Sequence, residues 1–164
     1  MAMKNNIIVK TVLAAGVLLV LGGTARAGGS TGIGVGGDLL LDGAGGVAVT
    51  YDADKFRLQG ILGFLDVGDE TTVLLAGRGF VPVHSTAMAD FSLGGSLGLS
   101  RFDPGPGDGV NIVIIEALGQ ARAFVTSNFS LNFTLGFGVE TSDGDAILVD
   151  SGINGSAGFT YFFY

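Results

Sequence analysis

Residues 155–164 read GSAGFTYFFY, and the alternation inside that stretch decides the fold. As a strand it places Phe159, Tyr161 and Phe163 on one face and Ser156, Gly158 and Thr160 on the other, because successive side chains of a strand point to opposite sides. An uncharged aromatic strand at a chain end is an aggregation template in water. It is stable where the aromatic face meets lipid and both edges are paired with neighbouring strands. Tyr164 falls out of phase with Phe163 and reads as an added residue on the opposite face.

Working back from this stretch, the same period of two recurs through the chain. Strands are predicted at about 32–42 (Ile33, Val35, Leu39, Leu41 against Asp38), 46–52 (Val47, Val49, Tyr51) and 55–65 (Phe56, Leu58, Leu62, Phe64 against Arg57 and Gln59). A fourth spans about 71–83, with Val73, Leu75, Val81 and Val83 opposite Thr72 and Arg78, and with Pro82 near its end. The fifth alternates Ala87, Ala89, Phe91, Leu93, Leu97 and Leu99 with Met88, Asp90, Ser92, Ser96 and Ser100. The sixth, about 110–125, starts apolar on both faces and then alternates Ala117, Ala121, Ala123 and Val125 with Glu116, Gln120 and Arg122. The seventh sets Phe129, Leu131, Phe133, Leu135, Phe137 and Val139 against Ser130, Asn132, Thr134 and Glu140. The eighth occupies about 146–163, with an interruption near Ser151 and Gly152. No segment after the first thirty or so residues sustains a helical period.

The beginning of the chain has a different character. Lys4 and Lys10 precede the apolar run Thr11 to Gly23, and Ala25-Arg26-Ala27 follows, which is the order of a secretory signal peptide with cleavage expected after Ala27. The run is shorter than the roughly 20 residues that span a bilayer as a helix. The chain has no cysteine, so neither a lipid-modified cysteine nor a disulfide framework holds it. Cleavage would leave 137 of the 164 residues, one domain at 28–164, with five basic residues against fifteen acidic ones. That charge excludes nucleic acid as a partner, since nothing would offset phosphate repulsion. Thirty glycines, without a three-residue period, suit the tight curvature of a small barrel.

Eight strands is an even number, and the connections differ in kind. Asp52 to Asp54, His84-Ser85 and Thr126 to Asn128 read as short turns, whereas the loops at 102–109 and 141–152 are longer, acidic and glycine-containing; the acidic loop at 66–70 is intermediate, and Asp42 to Gly45 is as tight as a turn. Short turns at one end and longer loops at the other are the asymmetry of an outer-membrane barrel with both termini in the periplasm. The spacing of Gly158, Tyr161 and Phe163 resembles the C-terminal signal of bacterial outer-membrane barrels, with Tyr164 one residue beyond the usual end. With these residues, the chain resembles the small eight-stranded outer-membrane β-barrel family, that of outer membrane protein X and the membrane domain of outer membrane protein A. The resemblance covers the mature chain as architecture and those three residues as a motif. Three tyrosines and no tryptophan depart from the family's aromatic girdles. What the resemblance implies is an all-β, antiparallel up-and-down transmembrane barrel in the bacterial outer membrane. Its partners would be outer-membrane lipids, lipopolysaccharide and, through the last strand, the barrel-assembly machinery.

With the apolar faces outward, the lumen is expected to hold Asp38, Thr50, Arg57, Gln59, Arg78, Asp90, Glu116, Gln120, Arg122, Asn132 and Glu140. Eight strands enclose a space that side chains fill, so these groups would pair instead of lining a water column. A narrow or gated ion path is the functional alternative to a network that fixes register. Leu40, Ile61, Leu65, Leu74, Ile112 and Ile114 share the inward phase near the loop end and form a candidate pocket for an apolar ligand.

Catalysis finds little to use. His84 is the sole histidine, and although some eight-stranded barrels are lipid A deacylases or acyltransferases, His84-Ser85 lacks the deacylase His-x-Ser spacing and sits at a turn away from the outer leaflet. Asp66, Asp69 and Glu70, and Asp143, Asp145 and Asp150, lack the calcium-loop spacing, and GIGVGG at 32–37 has no helix behind it to cradle a nucleotide. No enzyme, metal or cofactor is therefore expected. The leading expectation is an envelope structural or surface-interaction barrel with a filled lumen. The alternatives are a small apolar-ligand-binding barrel, in the membrane or soluble and lipocalin-like, and, more distantly, lipid A modification. A soluble barrel would turn the apolar face inward.

Overall fold

The computed structural model describes residues 32–40, 45–53, 55–68, 70–105, 109–142, 147–148 and 153–163. The segment 1–27 expected to be a signal peptide, residues 106–108 of the loop expected at 102–109, most of the loop expected at 141–152, and Tyr164 lie outside these. The described chain is all β: β1 (Gly32–Leu40), β2 (Gly45–Asp52), β3 (Arg57–Val67), β4 (Glu70–Ser85), β5 (Ala89–Asp103), β6 (Val110–Thr126), β7 (Phe129–Ser142), β8 (Ile147–Leu148) and β9 (Ile153–Phe163). Every neighbour in sequence pairs antiparallel from β1 to β7. The short β8 and the longer β9 both pair with β7, occupying one position in the sheet, and β9 returns to β1. Among the described residues the result is a closed eight-stranded antiparallel barrel in which β1 to β7 and β9 are each paired on both sides, the arrangement that removes open sheet edges.

The stagger of the barrel can be read from the pairing. Traced across the strands from Ile33, the ladder runs through Tyr51, Leu58, Gly79, Gly95, Ala117 and Phe137 to Ile153. Ile33 itself pairs with Phe163, ten residues further along the same strand. With about 3.3 Å per residue along a strand and about 4.8 Å between strands, that stagger tilts the strands about 40° from the barrel axis.

Side-chain direction follows the alternation. From Val73 to Val83, Phe91 to Leu99, Ile115 to Val125 and Leu131 to Val139, every outward residue is apolar or glycine, and the large ones are exposed, Phe137 at 67%. The inner face is the reverse: sixteen of the buried residues are polar or charged against seven that are hydrophobic. The orientation is opposite to that of a water-soluble barrel, whose apolar residues would point inward. Phe80 lies across its ladder partner Gly94, where a Cβ would run into the Gly79 carbonyl and the Phe80 ring. Glycine on the inner wall thus makes room for bulky side chains in a tightly curved sheet.

Several boundaries depart from expectation. Asp66, Val67 and Glu70 are strand residues, with Asp66 paired to Thr71 and Val67 to Glu70, so the expected acidic loop at 66–70 shrinks to a two-residue turn. Gly68 supplies the positive φ of 68° that such a tight turn demands. The turn expected at His84-Ser85 falls instead at 86–88, where Thr86 Oγ1 accepts from the Met88 and Ala89 amides. Pro82 sits at a register shift between Pro82 and His84, a bulge that spares the sheet the amide proline lacks.

Candidate functional site in the barrel lumen

The chemistry of the barrel is inside it, in layers. At the end carrying the short turns, two arginines and two aspartates meet. Asp52 and Arg57 are ladder partners across the β2–β3 turn, and Asp90 and Arg122 are partners on β5 and β6. Arg57 reaches Asp52 at 3.3 Å and both Asp90 oxygens at 3.2 Å, while Arg122 Nε donates to Asp90 at 2.9 Å and its Nη1 bridges to Asp52. Arg57 also donates to Gln120 Oε1 at 2.6 Å, and Gln120 donates onward to Thr134. Three phenylalanines flank the tetrad, Phe80 against Arg57 and Phe124 and Phe162 against Arg122, with guanidinium-to-ring distances of 5.9, 4.9 and 5.8 Å. Two cations and two anions cancel, and Arg57 is only 1% exposed, so this layer fills the turn end of the lumen with paired charge.

Further along the lumen, Asn132 donates to Thr160 at 2.8 Å. Arg78 then pairs with Asp38 at 2.7 Å and donates to Ser156 at 3.3 Å. Above this pair the lumen opens into a cavity of about 390 Å³, with apolar groups including Leu40, Leu74, Ile114 and Leu118, and polar ones including Glu116, Glu140 and Asn154. Glu116 accepts from Ser96 and, at 3.1 Å, from Asn154. The lumen is thus a blind cup: sealed by charge pairs at the turn end, hollow toward the loop end.

Asp38, Arg57, Gln59, Arg78, Asp90, Gln120, Arg122 and Asn132 are all buried in the lumen, whereas Glu116 and Glu140 are half-buried at the cavity. Of the six residues expected to form an apolar pocket, Leu40, Leu74 and Ile114 line the cavity. Ile61 instead packs with Ala48 and Ala76 in a small apolar cluster, and Leu65 and Ile112 are not among the lining residues. The pocket is also more polar than that set implied. In the C-terminal motif, Phe163 is exposed outward and Tyr161 is half-exposed, while Gly158 faces inward beside Asp38. His84 is exposed on β4 near the turn end.

Sequence reasoning missed Asp52, which composition assigned to a turn, and the inward phenylalanines. The signal for Asp52 was its phase with Ala48 and Thr50, both buried. Phe162 is fully buried, and its backbone is held by Asn128, whose carbonyl accepts from the Phe162 amide at 2.7 Å. Among the described residues no group of three or more histidine, cysteine, aspartate or glutamate side chains is arranged to hold a metal ion. Comparison with protein-family models, curated proteins and solved structures returns no match.

Proposed function

We propose that this chain is an integral outer-membrane β-barrel with a largely side-chain-filled lumen, acting as an envelope structural or surface-interaction protein. The observation that carries the reading is the outer face. On the four longest strands a continuous belt of apolar side chains and glycine, about 20–25 Å tall on tilted strands, surrounds an interior of paired charges. In water such a belt is an aggregation surface; in a bilayer it matches the hydrocarbon thickness an outer-membrane barrel requires. Polar groups bound it: exposed Arg101 and half-buried Asp103 toward the loop end, exposed Lys55 and His84 toward the turn end.

In this reading the small barrel family named above supplies the analogy. Residues 1–27 direct export and are removed after Ala27, and the strand ending at Phe163 presents the assembly signal. The loop end faces the cell exterior and meets lipopolysaccharide. The mechanism is physical, with the belt anchoring the barrel and the acidic connections presented outside. Fractionation of the expressed full chain tests it, together with gel mobility in detergent before and after boiling. Recovery in the outer membrane with a heat-modifiable band is the expected result. A soluble species with one mobility overturns it.

A further inference from the structure

The cup at the loop end has a chemical bias that the sealing network lacks. Glu116 is a half-buried carboxylate whose hydrogen bonds come from Ser96 and Asn154, both neutral, so its charge is solvated but not cancelled. Glu140 lines the same cavity. Five basic residues follow position 27. Lys55, Arg57 and Arg122 lie at the turn end, Arg101 is exposed outside with Asn111, and Arg78, the one basic residue lining the cavity, is paired with Asp38. A carboxylate in a low-dielectric cavity without a cation is an incomplete arrangement. Around it on the cavity wall are Leu40 on β1, Leu74 on β4, and Ile114 and Leu118, which flank Glu116 on β6, an apolar lining that a bare metal ion would not use. At the floor, Arg78 is 7% exposed and its buried Nε has no hydrogen-bond partner.

From these three features we infer that the outer half of the lumen is a binding site for a small amphipathic organic cation. Its ammonium group would sit at Glu116 and Glu140, and a short apolar body would lie against the leucines and Ile114. An oxygen acceptor at its inner end would lie toward the Arg78 guanidinium at the cavity floor. The volume falls in the range of small-ligand pockets, and the acidic residues draw cations toward it. The site deepens the membrane-barrel reading only in its route of access, from the outside.

Three five-carbon probes that share a terminal hydroxyl and differ at the other end separate the alternatives: 5-aminopentan-1-ol, 1,5-pentanediol and 5-hydroxypentanoate. Each is titrated into the full barrel in detergent micelles, after a heat-modifiable band has established folding, with amide NMR as the readout. Saturable shifts at Gly98, Ser100 and Gly155, which line the cavity, are expected with the amino alcohol. The diol should bind at least about tenfold more weakly and the acid not measurably. Glu116→Gln should weaken the amino alcohol about tenfold, the equivalent of one buried charge contact of about 1.4 kcal/mol. Equal affinity for diol and amine, stronger binding of the acid, or shifts confined to outward Leu97 and Leu135 overturns the inference while leaving the barrel reading intact. If Glu116→Gln does not fold, the order of the three probes on the wild-type barrel decides alone. A chain with no heat-modifiable band counts against the membrane reading, and the same titration on its soluble form still decides the site.

Discussion

Arg122 Nη1 on β6 bridges Asp52 Oδ2 on β2, a contact across the full width of the lumen between strands that stand opposite each other in the barrel. Together with Arg57 on β3 and Asp90 on β5 it ties four strands at the level of the short turns. Such a network contributes little net stability compared with well-packed apolar groups, yet breaking it is costly because a charge is left alone.

Arg122→Ala should therefore destabilise the barrel by about 3–5 kcal/mol, since Asp52 and Asp90 would share one remaining cation. Replacing the tetrad as a whole (D52L, R57M, D90L and R122M) should leave stability near the wild-type value or raise it. Denaturant midpoints of the refolded barrel, read from the unboiled gel band, check both. A single-variant loss within the range of an exposed pair would show that water already solvates the tetrad.

The same seal sets conductance. In planar bilayers the wild-type chain should give no steady steps of open-pore size. Removing both guanidinium groups, Arg57→Ser with Arg122→Ser, should produce discrete steps that favour cations, because Asp52 and Asp90 then face an open lumen. Wild-type steps as large as those of the double variant would contradict a closed turn end.

The outer belt makes a directional prediction. Leu97 is 58% exposed in the middle of β5, and Leu97→Arg should cost about 2–4 kcal/mol in lipid vesicles, the range for a cation at the bilayer midplane. The same change should cost far less in micelles, where the head can reach water. Equal costs in the two media would mean that this face does not meet hydrocarbon.

Adjacent aromatics of the last strand should separate packing from assembly. Phe162 is fully buried, so Phe162→Ala should lose about 3–5 kcal/mol in refolded protein, as expected for truncating a large core side chain. Phe163 is 55% exposed, and Phe163→Ala should change refolded stability little while lowering the yield of assembled barrel in cells. Equal losses of refolded stability would contradict the opposed directions of the two rings.

The alternation that made the fold readable was strongest on β5 and β7, where apolar and small polar residues alternate over long runs; Asp38, Arg57, Arg78, Asp90 and Arg122, in the polar phase, are buried, and Glu116 and Glu140 are half-buried. It failed where local chemistry overruled the period. Asp52 resembled a turn residue because it precedes Ala53-Asp54, and Asp66 to Glu70 resembled a loop because acidic residues favour loops, although the ladder carries Asp66, Val67 and Glu70 in strands. The inward phenylalanines were hidden for another reason. Phe80 and Phe162 share the phase of polar neighbours, and their places depend on glycines across the ladder, Gly94 and Gly34, that only the register brings opposite them. The cavity was legible in its leucines but not in its polarity, because Asn154 approaches Glu116 only once β9 lies beside β7.

The pairing of Ile33 with Phe163 also fixes when the molecule can exist. Its first described strand finds one of its two neighbours in β9, more than a hundred residues along the chain, so the ring cannot close before β9 has been made. Until then two open edges and an apolar face must be kept apart from other chains. Closure is consequently a late event, slowed by the long sequence separation of its partners. For a chain of this design, the time spent with its ring open is a hazard that the stability of the finished cylinder does nothing to reduce.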